Sequence, residues 1–231
     1  MKQLIVNADD FGFTRGVNEG ILQAHRQGIV TATTLMADGA AFEHAVSITR
    51  GTPALDVGVH LVLWPEGGSL PRRLPAFVAR SVAWSGARLE GEFARQVEKV
   101  IAAGIAPSHL DTHKHVHLLP WVMNAVARVA ARFGIAWVRR PFSRRQVIVR
   151  GLRTPDHFLG IRLTGRMTRG SLLAGLERLR PGLTELMCHP GVCDDELRNA
   201  PTRLTHQRQV ELEALTSPEV RRLIASNGIR L

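Results

Sequence analysis

The chain has no tyrosine, and aromatic residues make up only 5% of its 231 positions. Cysteine is nearly absent too. Cys188 and Cys193 are the only two, and a lone C-x4-C pair is too little for a disulfide framework or a zinc knuckle, so two reduced thiols are expected. No apolar run approaches the ~20 residues of a membrane span. Met1-Lys2 leads straight into QLIVNADD, which is too short and too acidic for a signal peptide, so a cytoplasmic protein is expected. No linker, repeat or low-complexity tract divides the chain, which points to one domain over 1–231. Helix-turn-helix, zinc-finger and RNA-binding signatures are missing, so nucleic acid is not an expected partner.

Lysine is scarce and arginine is not: three against twenty-seven, with a net charge of +10. The excess is local. From Thr112 to Leu176 there are twelve basic residues and one acid, Asp156, and residues 139–153 alone carry six arginines. Such a segment suits an anionic partner, and peripheral contact with a membrane surface is one expectation. Coding bias toward arginine is the plainer explanation for any single position.

Hydrophobic spacing alternates between two periods along the chain. KQLIVNADD, IVTATTLM, ALDVGVHLVL, PSHLDTH, IAWVRRP and LTELMCHPG read as strands. GVNEGILQAHRQG, AAFEHAVSITRG, EGEFARQVEKVIAAG, PWVMNAVARVAARFG and RGSLLAGLERLRPG read as helices, several of them closing on glycine. Residues 64–90 look like a long excursion, and two helical segments are expected at the end. Repeated βα units mean a parallel sheet with helices outside, either a (β/α) barrel or a doubly wound open sheet. Functional groups gather past the carboxyl ends of the strands in both.

The conspicuous polar residues fall at those ends. Asp9 and Asp10 close the first strand, His60 the third, Asp111 and His113 the fourth, and His189 a late one. Two histidines and a carboxylate form a facial set for a divalent ion, leaving positions open for water and substrate. Asp10, His60 and His113 can supply it. Asp9 is then free to act as a base, and His189 can protonate a leaving group, a combination suited to hydrolysis of a carbonyl compound. Each residue has a plainer reading: Asp9-Asp10 as a turn with an Asx cap, His60 as a core histidine, His189 as a loop residue. The stretch HLDTHKHVHLLP is different, since it holds four of the ten histidines. So much imidazole is costly to bury unless it bonds something. Spacing leaves open whether His113 is a single ligand or pairs with His117 one helical turn on.

LIVNADDFG, GVHLVL, HLDTHKHVHLLP and MCHPG, in this order and at these intervals, resemble the YdjC-like carbohydrate deacetylases, which include the chitooligosaccharide deacetylases. The resemblance implies a distorted TIM-type (β/α) barrel of the glycoside hydrolase/deacetylase type and metal-dependent removal of acetate from an N-acetylated amino sugar. It implies Asp10, His60 and His113 as metal ligands, Asp9 as general base and His189 as acid, around one divalent ion, Mg2+ or Zn2+. His115 and His117 match family histidines without an assigned role. The pattern is most similar to the hopanoid-biosynthesis-associated branch, which implies an N-acetylglucosaminyl hopanoid glycolipid as substrate, a cytoplasmic enzyme at the inner membrane face, and room for a homodimer. Two departures stand out. Asp38 occupies a position where the family pattern has Asn, and only Trp64, Trp84, Trp121 and Trp137 are available for stacking on a sugar. A chitooligosaccharide deacetylase, a metal-dependent phosphoesterase and a non-enzymatic binder are the alternatives.

Overall fold

The computed structural model describes residues 1–63, 86–140 and 151–231. Among the described residues, eight strands appear in chain order: β1 (Lys2–Phe11), β2 (Ala32–Leu35), β3 (Asp56–Leu61), β4 (His109–Thr112), β5 (Trp137–Val138), β6 (His157–Leu159), β7 (Gly182–Cys188) and β8 (Ile229–Arg230). They pair in the order β5-β4-β3-β2-β1-β7-β6, all parallel, with β8 beside the amino end of β1. Neighbours in sequence are neighbours in space around this sheet, without the order reversal of a doubly wound fold. It is a barrel order cut between β5 and β6, so the sheet curls into a half-barrel with helices outside. At that edge, Arg153 pairs beside β5 through the parallel bridge Trp137–Arg153.

Burial explains the strand sequences. β1 lies mid-sheet with both faces covered, and Leu4, Val6, Ala8 and Phe11 are buried in the core, so it reads as a continuous apolar run rather than an alternation. Helices α1 (Arg15–Gln27), α2 (Phe42–Arg50), α3 (Ala87–Ala102), α4 (Pro120–Arg132) and α5 (Arg169–Glu177) cover the outside. Thr14 caps α1 by accepting from the Val17 N–H at 3.2 Å, and α4 starts on its proline as predicted. After β7 come α6 (Asp195–Asn199), α7 (His206–Leu215) and α8 (Pro218–Ser226).

Several expectations change. Three helices, not two, follow β7, and the chain then returns to the sheet as β8. β6 went unread because three residues in an arginine-rich stretch show no alternation. The expected excursion over 64–90 ends sooner, since Arg88, Leu89 and Glu90 already belong to α3; its residues 64–85 lie outside the described ones. Cys188 and Cys193 are free thiols.

Candidate metal centre and catalytic groups

Adjacent residues on a regular strand face opposite ways, so Asp9 and Asp10 cannot share a site without a local break. The break is present. β1 continues to Phe11, but its register with β2 shifts between Ala8 and Phe11, and Asp10 takes a left-handed φ of 69°. A non-glycine residue there is uncommon, and such strain collects at functional sites. This bulge, not a strand end, turns both carboxylates inward. The Asx-cap reading of the pair does not hold, because Thr14 caps α1.

Three atoms converge beside the bulge. Asp10 Oδ1 lies 3.2 Å from His113 Nδ1 and 3.3 Å from His60 Nε2, and the two nitrogens are 3.2 Å apart. Bonds of roughly 2.1 Å to a divalent ion require donor spacings of about 3.0 Å in an octahedron and about 3.4 Å in a tetrahedron. Asp10, His60 and His113 fit such an ion as they stand. On its other side, His60 Nδ1 meets Asp111 Oδ1 at 2.6 Å. That bond places the ring proton on Nδ1 and leaves the Nε2 lone pair facing the cluster, the arrangement in which a carboxylate supports a metal-binding imidazole. Burial alone would push the His60 ring down, but Asp111 and Asp10 hold its pKa well above the usual range.

A second grouping, Asp9, His60 and Asp111, is equally close-knit, but a cation already occupies it. Arg139 is almost fully buried. It donates to both oxygens of Asp9 at 2.7 Å and, through Nε, to Glu185 Oε1 at 2.6 Å, and its Nη1 pairs with Asp111 Oδ2 at 2.7 Å. Burial raises the Asp9 carboxyl, and Arg139 outweighs this to bring it below its ordinary value. One guanidinium cannot balance three carboxylates. Burial pushes Glu185 up to about 7, against the pull of Arg139. Asn7 Nδ2 also donates to Asp9 Oδ1 at 2.9 Å. Each carboxylate oxygen offers two lone pairs, so Oδ2 keeps one beyond Arg139. Its next neighbour is His189 Nε2, at 4.0 Å.

The helix α7 completes the surroundings with two residues three apart on one face. Arg208, 1% exposed, donates from Nη2 to Asp10 Oδ2 at 2.5 Å. Burial raises the Asp10 carboxyl, and Arg208, aided by His113 and His60, holds it well below the usual range. Glu211 accepts from the backbone N–H of His189 at 2.6 Å and lies 3.9 Å from its Nδ1. His189 is therefore buried between Asp9 and Glu211, not loose in a loop.

Beyond Thr112 the chain enters a short 3-10 segment, His113–Leu118, kinked where Lys114 and His115 both take positive φ. The kink separates the histidines. His113 turns to Asp10 and His60. The His117 ring meets Thr112 Oγ1 at 2.5 Å, and His115 packs edge-on to Phe158 with ring centres 6.2 Å apart. Burial depresses both rings, His115 to about 4 and His117 to about 3. The fourth histidine, His109, lies under the cluster, with Nε2 2.9 Å from Asn7 Oδ1.

The structure moves other residues away from the site. Asp38 pairs with Arg95 and Lys99 on the surface. Trp121 packs against the core, and Arg153 stacks on Trp137 at 5.0 Å. Trp64 and Trp84 lie outside the described residues, as do Arg144, Arg145 and Arg150 of the basic segment. Arg139 is a correction: it belongs to the buried network, not to a surface patch. Sequence reasoning missed it although it stands at a strand end like the other polar residues. Asp111 was placed at the end of the fourth strand but given no role. Arg208 and Glu211 carry no signal beyond their spacing on a helix.

By fold, the protein falls among the deacetylase-type α/β barrels. It matches a family 4 carbohydrate esterase from Streptomyces lividans, solved with acetate, with a TM-score of 0.58 over 99% of this chain and 91% of that one, at 14% identity. This likeness is one of fold alone. The chain belongs to the YdjC-like family, whose profile, described as YdjC-like protein, matches residues 3–226. It is 36% identical to a carbohydrate deacetylase from Geobacillus stearothermophilus, covering 98% of this chain and 94% of that protein. It is 35% identical to a chitooligosaccharide deacetylase from Salmonella typhimurium, covering 98% and 96%. A putative cellobiose-phosphate cleavage protein from Enterococcus faecalis superposes with a TM-score of 0.83 at 28% identity, over all of this chain and 96% of that one.

Proposed function

We propose that this protein is a divalent-metal-dependent carbohydrate N-deacetylase, releasing acetate from an N-acetylated amino sugar. The observation that carries the reading is the convergence of Asp10, His60 and His113 beside Asp9 and His189, in a chain whose relatives include named carbohydrate deacetylases. Asp10, His60 and His113 would hold the ion. When bound, it would polarise the acetyl carbonyl and acidify a water molecule. Asp9 would serve as the base, accepting a proton from the attacking water through the open lone pair of Oδ2. Arg139 makes Asp9 a weak base, which suits a water already acidified and would not suit a free one. His189, across from Asp9, gives a proton to the departing amine. Two imidazole donors favour zinc over magnesium on ligand softness, and metal analysis of the purified protein distinguishes the two.

Within this class we take an N-acetylglucosaminyl hopanoid as substrate, supported by the overall sequence pattern and the arginine-rich segment; the names of the relatives favour a chitooligosaccharide. A phosphoesterase with two ions is disfavoured, because Arg139 already fills the second carboxylate cluster. The test is acetate release from soluble and lipid-linked N-acetylglucosaminyl substrates. Wild type, metal-stripped wild type, Asp9→Asn and His113→Ala are compared. Activity should vanish in the last three and return to the stripped enzyme with added metal. No release by metal-loaded wild type from any of these substrates would overturn the assignment.

A further inference from the structure

On the outer side of the β6–β7 pair, against α5, lies a cavity of about 670 Å3 that none of the chemistry above uses. Its walls are mostly apolar, with Phe158 and Leu159 from β6, Leu163, and Ala174 and Leu179 from α5 and the turn after it, while Asp156, His157 and Ser171 also line it. Gly175 allows this close packing, since a Cβ there would meet Leu159 Cδ2 at 3.1 Å. The mouth is cationic. Arg162, Arg178 and Arg180 line it and are exposed, and no described carboxylate bridges to any of the three. Thr184 lines the cavity, is 2% exposed, and its hydroxyl has no hydrogen-bond partner among the described residues.

We propose that this cavity binds one long-chain carboxylate, a fatty acid, with its chain along the apolar walls and its head among the three arginines. A volume in the ~300–1,000 Å3 range of small-molecule sites suits one chain and not a two-chain lipid. Guanidinium groups pair with a carboxylate through two parallel hydrogen bonds, whereas a neutral chain end would leave three like charges facing one another. The cavity is walled off from the catalytic groups but shares a partition with them. Thr184 faces the cavity while the next residue, Glu185, bonds Arg139. Phe158, also in the wall, lies under the Arg139 guanidinium at 5.5 Å.

The test is a titration of the whole protein with oleate below its micelle concentration, followed by calorimetry, with oleyl alcohol as the neutral probe. Wild type should bind one oleate per chain, at least tenfold tighter than the alcohol. Ala174→Trp, which fills the cavity and leaves the charge unchanged, should abolish binding. The triple change of Arg162, Arg178 and Arg180 to Gln should weaken it at least tenfold, and thermal melts confirm that each variant folds. Equal binding by Ala174→Trp and wild type, equal affinity for oleate and the alcohol, or no saturable binding at all would each overturn the proposal. Acetate release from a soluble sugar is read on the same variants and should be unchanged, so this site and the catalytic reading fail separately.

Discussion

Asp10 shares its two oxygens between different cations: Oδ2 belongs to Arg208, and Oδ1 faces the two histidines. Removing one partner of a buried ion pair typically costs about 3–5 kcal/mol, because the other charge is left uncompensated. Arg208→Met should lose stability of that order in the metal-free protein. A divalent ion would restore part of it by supplying the missing positive charge, so zinc should raise the melting temperature more in the variant than in wild type. An equal or smaller rise would show that Asp10 is not a ligand. His117 gives a second residue-level expectation. Its ring titrates at about 3 when folded against 6.5 as a free group, so between these values the unfolded chain binds the proton and the folded one does not. Its contribution to stability is therefore present above pH 6.5 and lost as pH falls toward 3. His117→Asn removes that term. Urea unfolding at pH 7, 5.5 and 4.5 should show a shallower acid decline than in wild type; parallel declines would count against the assignment.

Among the elements, α1 and the turn after β7 approach as closely as backbone allows. A Cβ at Gly20 would lie 2.4 Å from Gly191 Cα, and one at Gly16 2.4 Å from Val192 O. Overpacking of this kind costs about 1–3 kcal/mol, and here it pushes on the turn that carries His189. Gly20→Ala should thus lower acetate release further than its melting temperature alone explains. Gly91→Ala in α3, which meets nothing within 4 Å, should stabilise by up to ~1 kcal/mol with activity unchanged. If both variants behave alike, the α1 contact does not position His189. The element scale is also where sequence and structure agree best. α1, α2 and α4 follow from 3.6-residue spacing and their end signals, because each buries one stripe against the sheet. β6 and β8 escaped, since two or three residues carry no period. Their pairing is set by β7 and β1, which lie elsewhere in the chain.

For the molecule as a whole, the legible part of the candidate site is the part written at strand ends. Asp9, Asp10, His60, His113 and His189 each close or interrupt a strand, and a parallel curled sheet brings those ends to one rim. The groups that tune them were illegible. Arg139 reaches Asp9 across 130 positions and Arg208 reaches Asp10 across 198, and no local pattern announces a contact of that range. The bulge at Asp10 was illegible too: a register shift against β2 is a property of two strands together. Among the described residues the sheet is open between β5 and β6, and this too depends on which strands fail to meet.

The position of α7 has a consequence for how the molecule comes into being. Every proposed ligand and proton-transfer group precedes residue 190, yet the charge that balances Asp10 and the carboxylate that seats His189 both come from residues 208 and 211. A ribosome-bound chain that has emerged through β7 possesses all the chemistry and none of the balance. Its half-sheet would have to bury Asp10 without a counterion, at a cost near the stability of a small domain. Chains cut short by proteolysis or aborted synthesis before α7 should then be not weakly active but inert, and prone to degradation. Acetate release would then report that synthesis had passed α7.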